Sequence, residues 1–213
     1  MQTHILKVDP QNPDPDIMNQ AGKVIRGGGL VAFPTETVYG LAADAFNMDA
    51  VTRVYDVKGR PADKPLPVQI ASKVDIFKLT SDVSVFAQRL IDAFFPGPLT
   101  LVLRASPEVS NLITAGTCKI GIRMPNHPVA LSLIQAAGTP IVAPSANTSG
   151  RPSPINAEEV LIDLDGKIEL ILDAGQTQLK VASTVIDVTV SPFQFIRQGS
   201  ISEEMLLPYL ENS

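Results

Sequence analysis

The stretch of sequence that decides the fold is Leu30-Val31-Ala32-Phe33-Pro34-Thr35-Glu36-Thr37-Val38-Tyr39-Gly40-Leu41. Residues 30–33 form an apolar run that stops at Pro34, which predicts a short strand. Two hydroxyls and one carboxylate, from Thr35, Glu36 and Thr37, follow directly. Ligands of α/β sheets commonly bind on loops beyond strand ends. The segment therefore predicts either a polar ligand site or a turn whose hydroxyls bond their own backbone.

Strands and helices alternate on both sides of this segment. Helical spacing is found at 17–26, from about Asn47, and at 82–95, 128–137, 157–164 and 202–210. Further strand-like runs lie at 5–8, 66–70, 99–103, 120–124, 141–143, 168–172, 184–188 and 193–196. This order predicts an α/β fold, and the late strands without helices between them predict a mixed sheet. With no repeat or linker, we expect a single domain over residues 1–213.

Composition narrows the classes of protein. The net charge of −5 argues against a general nucleic-acid binder but leaves a local positive cavity open. No apolar run reaches about 18 residues, and Met1 to Pro15 does not resemble a signal peptide, so a cytoplasmic protein is expected. Cys118 is the only cysteine, and we expect it to be a small packed hydrophobe rather than a reactive thiol. With His4 and His127 as the only histidines, a His-rich metal site is not expected.

A second polar segment, Lys58-Gly59-Arg60-Pro61-Ala62-Asp63-Lys64-Pro65-Leu66, has three cations at the predicted end of a helix. Lys58 could simply complement the helix dipole. It explains Arg60 and Lys64 less well, because Pro61 breaks the helix. Together, lysine point charges and a planar guanidinium suit a polyphosphate.

Three more polar segments lie at or beside predicted strands. Arg123 closes one strand and could clamp a carboxylate or form a surface salt bridge. Residues 143–154 are small, hydroxylated and rich in proline, which favours either a stiff phosphate-binding loop or an ordinary loop. Residues 183–187 overlap a predicted strand, and Arg197 lies at the end of a later strand. The chain has neither a P-loop nor a Gly-x-Gly-x-x-Gly fingerprint, so a bound nucleotide would need a less common cradle.

Taken in order, the segments 34–41, 58–61, 95–100, 123–125, 144–147 and 183–185 resemble the YrdC-like family of threonylcarbamoyl-adenylate synthases, over about residues 8–200. The resemblance implies a twisted α/β fold around a deep, positively charged cavity. It implies a nucleotidyltransferase that makes threonylcarbamoyl-adenylate and pyrophosphate from L-threonine, bicarbonate and ATP. A separate transferase complex would use the product to modify adenosine in tRNA. The chain looks like the short form, without the C-terminal domain of longer relatives.

The resemblance also implies site residues. ATP would be bound by Lys58, Arg60, Lys64, Lys119, Ser145, Asn147, Ser153 and Arg197. Threonine would be bound by Thr35, Thr37, Gln69, Arg123, Ala143 and Ser183. Lys58 and Arg60 would be catalytic by neutralising the triphosphate. Mg²⁺ is expected to accompany ATP, with Glu36 and Asp187 as candidate ligands.

Two departures and two rival functions accompany this resemblance. Many relatives have Asn in place of Lys64 and often His in place of Gln69; Lys64 keeps the site cationic, and Gln69 can still donate a hydrogen bond. One rival is a module of the same fold that binds double-stranded RNA or tRNA, against which the net charge argues. The other is a carbamoyl-transfer enzyme, whose relatives usually carry additional domains.

Overall fold

A ten-stranded sheet with helices on both faces makes up the fold of the computed structural model, which describes residues 2–210. The strands are β1 (His4–Lys7), β2 (Val31–Phe33), β3 (Gly40–Asp44), β4 (Val68–Gln69), β5 (Leu99–Arg104), β6 (Lys119–Arg123), β7 (Ile141–Val142), β8 (Leu170–Asp173), β9 (Thr184–Asp187) and β10 (Gln194–Arg197). The helices are α1 (Pro15–Arg26), α2 (Met48–Lys58), α3 (Val85–Phe94), α4 (Asn111–Thr114), α5 (Pro128–Ala137), α6 (Ala157–Leu164) and α7 (Glu203–Leu210), with a 3-10 helix at Lys73–Lys78. The ends of the single domain expected over 1–213 lie outside the described residues.

The sheet is mixed, as predicted from the run of late strands. Its strand order is β1-β8-β2-β3-β7-β4-β6-β5-β9-β10. The pairs β1–β8, β2–β8, β4–β6 and β5–β9 are parallel, whereas β2–β3, β3–β7, β4–β7, β5–β6 and β9–β10 are antiparallel. This arrangement brings β4, β6, β5 and β9 side by side, with the cationic segment before β4, Arg123 at the end of β6 and Ser183 directly before β9.

Each face of the sheet has its own apolar core. On one face, α1 and α5 pack against each other and cover the first core. Gly22 permits this close approach, because a Cβ atom there would lie 2.6 Å from the carbonyl carbon of Ala136. The larger core, on the other face, is covered by α2, α3, α6 and α7. Within residues 2–210, none of the helices has the length and apolar character needed to cross a membrane.

Local signals fix the ends of α2, whose last residue begins the cationic segment. The Asn47 side chain accepts a hydrogen bond from the amide of Ala50 at 3.1 Å and so caps the first turn. Gly59, with φ of 56°, ends the helix in the left-handed conformation. Lys58 is therefore the last helical residue, and Arg60 already lies in the following loop.

Several predicted boundaries differ from the structure. The helix expected over 82–95 begins only at Val85, because Ser84 caps it through the amide of Ala87. The strand expected over 66–70 is reduced to Val68–Gln69 by Pro65 and Pro67, which lack an amide hydrogen. Strand β3, helix α4 and the 3-10 helix were not predicted.

Candidate active site

A cavity of about 460 Å³ opens where the polar segments meet. This volume is within the range of small-molecule sites, about 300–1,000 Å³. Eleven of the predicted site residues line it: Thr35, Arg60, Lys64, Gln69, Lys119, Arg123, Ala143, Ser145, Ser153, Ser183 and Arg197. The other three, Lys58, Thr37 and Asn147, are buried behind the wall.

Charged groups of the wall are mostly cationic. The Lys and Arg side chains that line the cavity are Arg60, Lys64, Lys119, Arg123 and Arg197. Among residues 2–210, Asp187 contributes the one carboxylate of the lining. Such a lining suits an anionic ligand. The positive charge of the cavity as a whole, which the resemblance implies, stays a prediction.

Lys58 lies behind the cavity, at the C-terminal end of α2, and is only 1% exposed. Its ammonium donates to the carbonyl oxygens of Ser145 and Asn147, both at 2.6 Å, and to Oδ1 of Asn147 at 3.2 Å. Burial, with the nearby charge of Arg60, lowers the pKa of Lys58 to about 7, while Asp163 acts in the opposite direction. Lys58 thus supports a loop of the wall.

That loop, residues 145–153, is held together by Asn147. Its side-chain amide donates to the carbonyl oxygens of Arg151 at 2.6 Å and Pro152 at 3.1 Å. Its Oδ1 accepts a hydrogen bond from the hydroxyl of Ser145 at 2.6 Å. These bonds fold the loop around one side chain and leave Ser145 and Ser153 on the cavity side.

Arg60 lies on the cavity side of the same helix end. Its Nε donates to the carbonyl oxygen of Lys64 at 3.1 Å and its Nη2 to that of Pro65 at 2.8 Å. Burial lowers the pKa of Arg60 from its usual value, and the neighbouring hydroxyl of Tyr55 counteracts this. These bonds place the guanidinium at the wall next to Lys64.

Arg123, at the end of β6, is 5% exposed and is held on three sides. Its Nε donates to the carbonyl oxygen of Gly97 at 3.1 Å and its Nη1 to the hydroxyl of Thr37 at 2.9 Å. Its Nη2 lies 2.8 Å from Oε2 of Glu36, in a buried ion pair. The surface salt bridge considered for Arg123 is therefore wrong, because both partners are buried.

A hydroxyl pair, formed by Thr100 and Ser183, also lines the cavity. The hydroxyls of Thr100 and Ser183 are 2.8 Å apart, and Arg197 donates to the carbonyl oxygen of Ser183 at 3.0 Å and to its hydroxyl at 3.1 Å. Burial and the charge of Arg123 lower the pKa of Arg197. Sequence reasoning missed Thr100, although its hydroxyl is the one polar group in the apolar run 99–103.

Both candidate metal ligands have cationic partners. Oδ2 of Asp187 lies 2.7 Å from Nζ of Lys119, and Oδ1 accepts from the amide and hydroxyl of Thr189 at 2.8 and 2.6 Å. The bonds from Lys119 and Thr189 lower the pKa of Asp187 against the effect of burial. Glu36 is paired with Arg123. Across residues 2–210, there is no group of three or more His, Cys, Asp or Glu side chains suited to hold a metal ion.

The prediction for Cys118 is wrong. Instead of packing inside, the side chain is exposed in the turn between α4 and β6. Its backbone has a φ of 57°, in the left-handed region, so the chain reverses direction there. The neighbouring Lys119 continues into β6 and lines the cavity.

Comparison with known proteins places this architecture in a family. The family model Sua5/YciO/YrdC, described as "Telomere recombination", matches residues 23–199. The threonylcarbamoyl-AMP synthase of Pyrococcus abyssi is 50% identical over 184 residues, covering 86% of this chain and 54% of the relative. The threonylcarbamoyl-AMP synthase of Bacillus subtilis is 48% identical over 194 residues, covering 91% and 56% respectively. This chain therefore spans about half the length of these curated relatives.

A solved structure extends the comparison to three dimensions. The crystal structure of P. abyssi Sua5 complexed with L-threonine superposes with a TM-score of 0.95 at 45% sequence identity. The match covers 98% of this chain and 61% of that one. With the family match, the shared fold and the identity of the relatives in agreement, the chain belongs to the Sua5/YciO/YrdC family.

Proposed function

We propose that this chain condenses L-threonine, bicarbonate and ATP into threonylcarbamoyl-AMP and pyrophosphate, which makes it a nucleotidyltransferase. The observation that carries the proposal is the convergence of eleven predicted site residues, from segments far apart in the chain, on one cavity. The names of the relatives and the threonine complex of P. abyssi Sua5 support the same reaction. Residues 1–213 would be a single catalytic domain, with the motif match over about residues 8–200.

The wall divides into two parts that suit two substrates. Arg60, Lys64 and Lys119 carry positive charge beside the hydroxyls of Ser145 and Ser153, a combination suited to a triphosphate. We assign the nucleotide to this part, with Arg197 between the two. We assign threonine to the part formed by Thr35, Gln69, Arg123, Ala143 and Ser183.

Thr37 and Lys58 take supporting roles in this proposal. The hydroxyl of Thr37 lies between Arg123 and the hydroxyl of Thr35, which is 2.8 Å away, and so links the ion pair to the wall. Selection of threonine over valine requires partners for the substrate hydroxyl that stay unpaired with the wrong amino acid. Lys58 acts through Ser145 and Asn147 rather than by touching the triphosphate.

The proposed chemistry consists of two steps and requires no protein nucleophile. The threonine amine attacks the bicarbonate carbon and water leaves, giving a carbamate. A carbamate oxygen then attacks the α-phosphorus of ATP, the bond to the β-phosphate breaks, and pyrophosphate leaves. Positioning and charge stabilisation dominate such transfers, and a wall of cations and hydroxyls supplies both.

Mg²⁺ fits this site only as a companion of ATP. The carboxylates of Glu36 and Asp187 are already paired with Arg123 and Lys119, so they are poor candidates for direct ligands. We propose that the ion is held by phosphate oxygens and water, as is common for magnesium nucleotides. Bound there, it would neutralise phosphate charge.

Pyrophosphate release from ATP and Mg²⁺ tests the proposed function. Release should require both threonine and bicarbonate and should fall sharply when serine or valine replaces threonine. We propose that the product then supplies a cytoplasmic transferase complex for the threonylcarbamoyladenosine modification of tRNA. A folded protein that releases no pyrophosphate under any combination contradicts the reaction. RNA affinity with a steep salt dependence would then favour the RNA-binding alternative.

A further inference from the structure

Asp163 is a buried carboxylate that none of the proposed steps uses. It lies near the C-terminal end of α6 and is 7% exposed. Its Oδ2 accepts a hydrogen bond from the backbone amide of Thr148 at 3.0 Å, and its Oδ1 forms an ion pair with the guanidinium of Arg151. A carboxylate this buried is costly unless it is paired. Both partners of this carboxylate belong to the 145–153 loop.

Lys58 holds the same loop by a different part of the backbone. It bonds Ser145 and Asn147, whereas Asp163 bonds Thr148 and Arg151. The loop therefore has a cation and an anion as anchors on its buried side. The negative charge of Asp163 also favours the protonated form of Lys58, against the effect of burial on its pKa.

The cavity side of the loop carries the groups assigned to the nucleotide. Ser145 and Ser153 line the cavity at the two ends of the loop, while Asn147 ties the middle together. A displacement of the loop by about 1 Å can be enough to cost a hundredfold in rate when it moves a binding group. The position of these hydroxyls thus depends on how firmly the buried side is held.

We propose that Asp163 is a positioning residue for nucleotide binding, which fixes the 145–153 loop from behind through the Thr148 amide and the Arg151 guanidinium. The inference rests on the proposed function. It makes a selective claim: the threonine part of the wall, built on Arg123 and Ser183, has its own supports and should be unaffected. If the carboxylate were purely structural, its loss would weaken the binding of both substrates alike.

The experiment compares Asp163→Ala and Asp163→Asn with Glu158→Ala, an exposed carboxylate on the same helix. Because the lost bonds involve a charged acceptor, Asp163→Ala should raise the KM for ATP by about tenfold or more. Asp163→Asn keeps an oxygen for the Thr148 amide but loses the charge, so we expect about a threefold rise. The KM for threonine should stay within about twofold in both, and Glu158→Ala should match the wild type.

Two results would overturn the inference. One is a folded Asp163→Ala protein whose KM for ATP is within about twofold of wild type; the other is an equal rise in both KM values. If Asp163→Ala does not fold, Asp163→Asn decides by the same criteria. Amide hydrogen exchange of Thr148 tests the anchoring without substrate, since exchange should be faster in Asp163→Ala and unchanged in Glu158→Ala. Failure of the proposed function is recognised separately, because the wild type itself would then release no pyrophosphate.

Discussion

The ammonium of Lys58 lies 2.6 Å from the carbonyl oxygen of Ser145, although the two residues are 87 positions apart in the chain. This bond runs from the last residue of α2 to the loop that follows β7. Lys58 and Arg60 therefore differ in position although they are close in sequence. Lys58 supports the cavity wall from behind, whereas Arg60 lines the cavity. The segment thus contributes both a support and a binding group.

Replacing Lys58 with Met should destabilise the fold and weaken nucleotide binding. The carbonyl oxygens of Ser145 and Asn147 would lose their shared donor, at a cost of about 1–3 kcal/mol of unfolding free energy. Urea denaturation at pH 7 measures this loss, and pyrophosphate release should show a raised KM for ATP. Lys23→Met, at an exposed position on α1, is the matched control and should change neither. Wild-type stability and kinetics in Lys58→Met would refute the supporting role.

Protonation of Lys58 should make stability depend on pH in the neutral to alkaline range. Its pKa is about 7 in the folded protein, against an ordinary value of 10.5 for a lysine, so the unfolded chain binds more protons between these values. Stability should therefore rise with pH in this window, by about 1.4 kcal/mol per unit, or about 2 kcal/mol between pH 7.5 and 9. Below pH 7 this contribution should level off.

Urea denaturation of the wild type and of Lys58→Met at both pH values isolates this effect. Other titrating groups contribute to both proteins, and the difference between them reports Lys58 alone. A difference that stays constant, or shrinks, as the pH rises would mean that the oxygen acceptors around the ammonium outweigh its burial.

The sequence predicted much of the cavity because most of its wall consists of strand ends. Arg123 and Ser183 each adjoin an apolar run, so the topology of an α/β sheet carries them to one edge. The direction in which the Lys58 side chain points could not be predicted in this way. It depends on where the carbonyl oxygens of Ser145 and Asn147 lie in the folded chain, and no local sequence pattern encodes their distance from the ammonium.

The misplaced elements have similar causes. Strand β3 has the sequence Gly-Leu-Ala-Ala-Asp, which lacks β-branched residues and any apolar alternation. It becomes a strand because it pairs with β2 and β7. Cys118 is exposed because the turn before β6 puts it there, and the residue type alone favoured burial.

Arg123→Lys should raise the KM for threonine by about tenfold or more, the loss expected for bonds between charged groups. A lysine has no planar fork, so it cannot reproduce the geometry in which the guanidinium bonds Gly97, Thr37 and Glu36, and the set of bonds would be broken. Steady-state kinetics with threonine varied at saturating ATP measures the change. Arg104→Lys, at the exposed end of β5, serves as the control. A rise confined to the KM for ATP would mean that Arg123 belongs to the nucleotide-binding part of the wall.

Asp187→Asn should leave the Mg²⁺ requirement unchanged. Both oxygens of Asp187 already accept bonds from Lys119 and Thr189, so the side chain is not available to bind the ion directly. Titration of Mg²⁺ at fixed ATP should give half-maximal activity within about twofold of wild type, as should the exposed control Asp49→Asn. A rise of tenfold or more in Asp187→Asn alone would make Asp187 a metal ligand.

Gly22→Ala should destabilise the protein without affecting either substrate. Alanine is a better helix former than glycine by about 1 kcal/mol, so a free position on α1 would gain stability. At residue 22, however, the new methyl group would lie 2.6 Å from the backbone of Ala136 and would push α1 away from α5. Overpacking of this kind costs about 1–3 kcal/mol.

Asn19→Ala, exposed on the same helix, should be stabilising or neutral. Thermal denaturation of the two variants measures the contrast. A gain in melting temperature for Gly22→Ala would show that the two helices can separate at little cost.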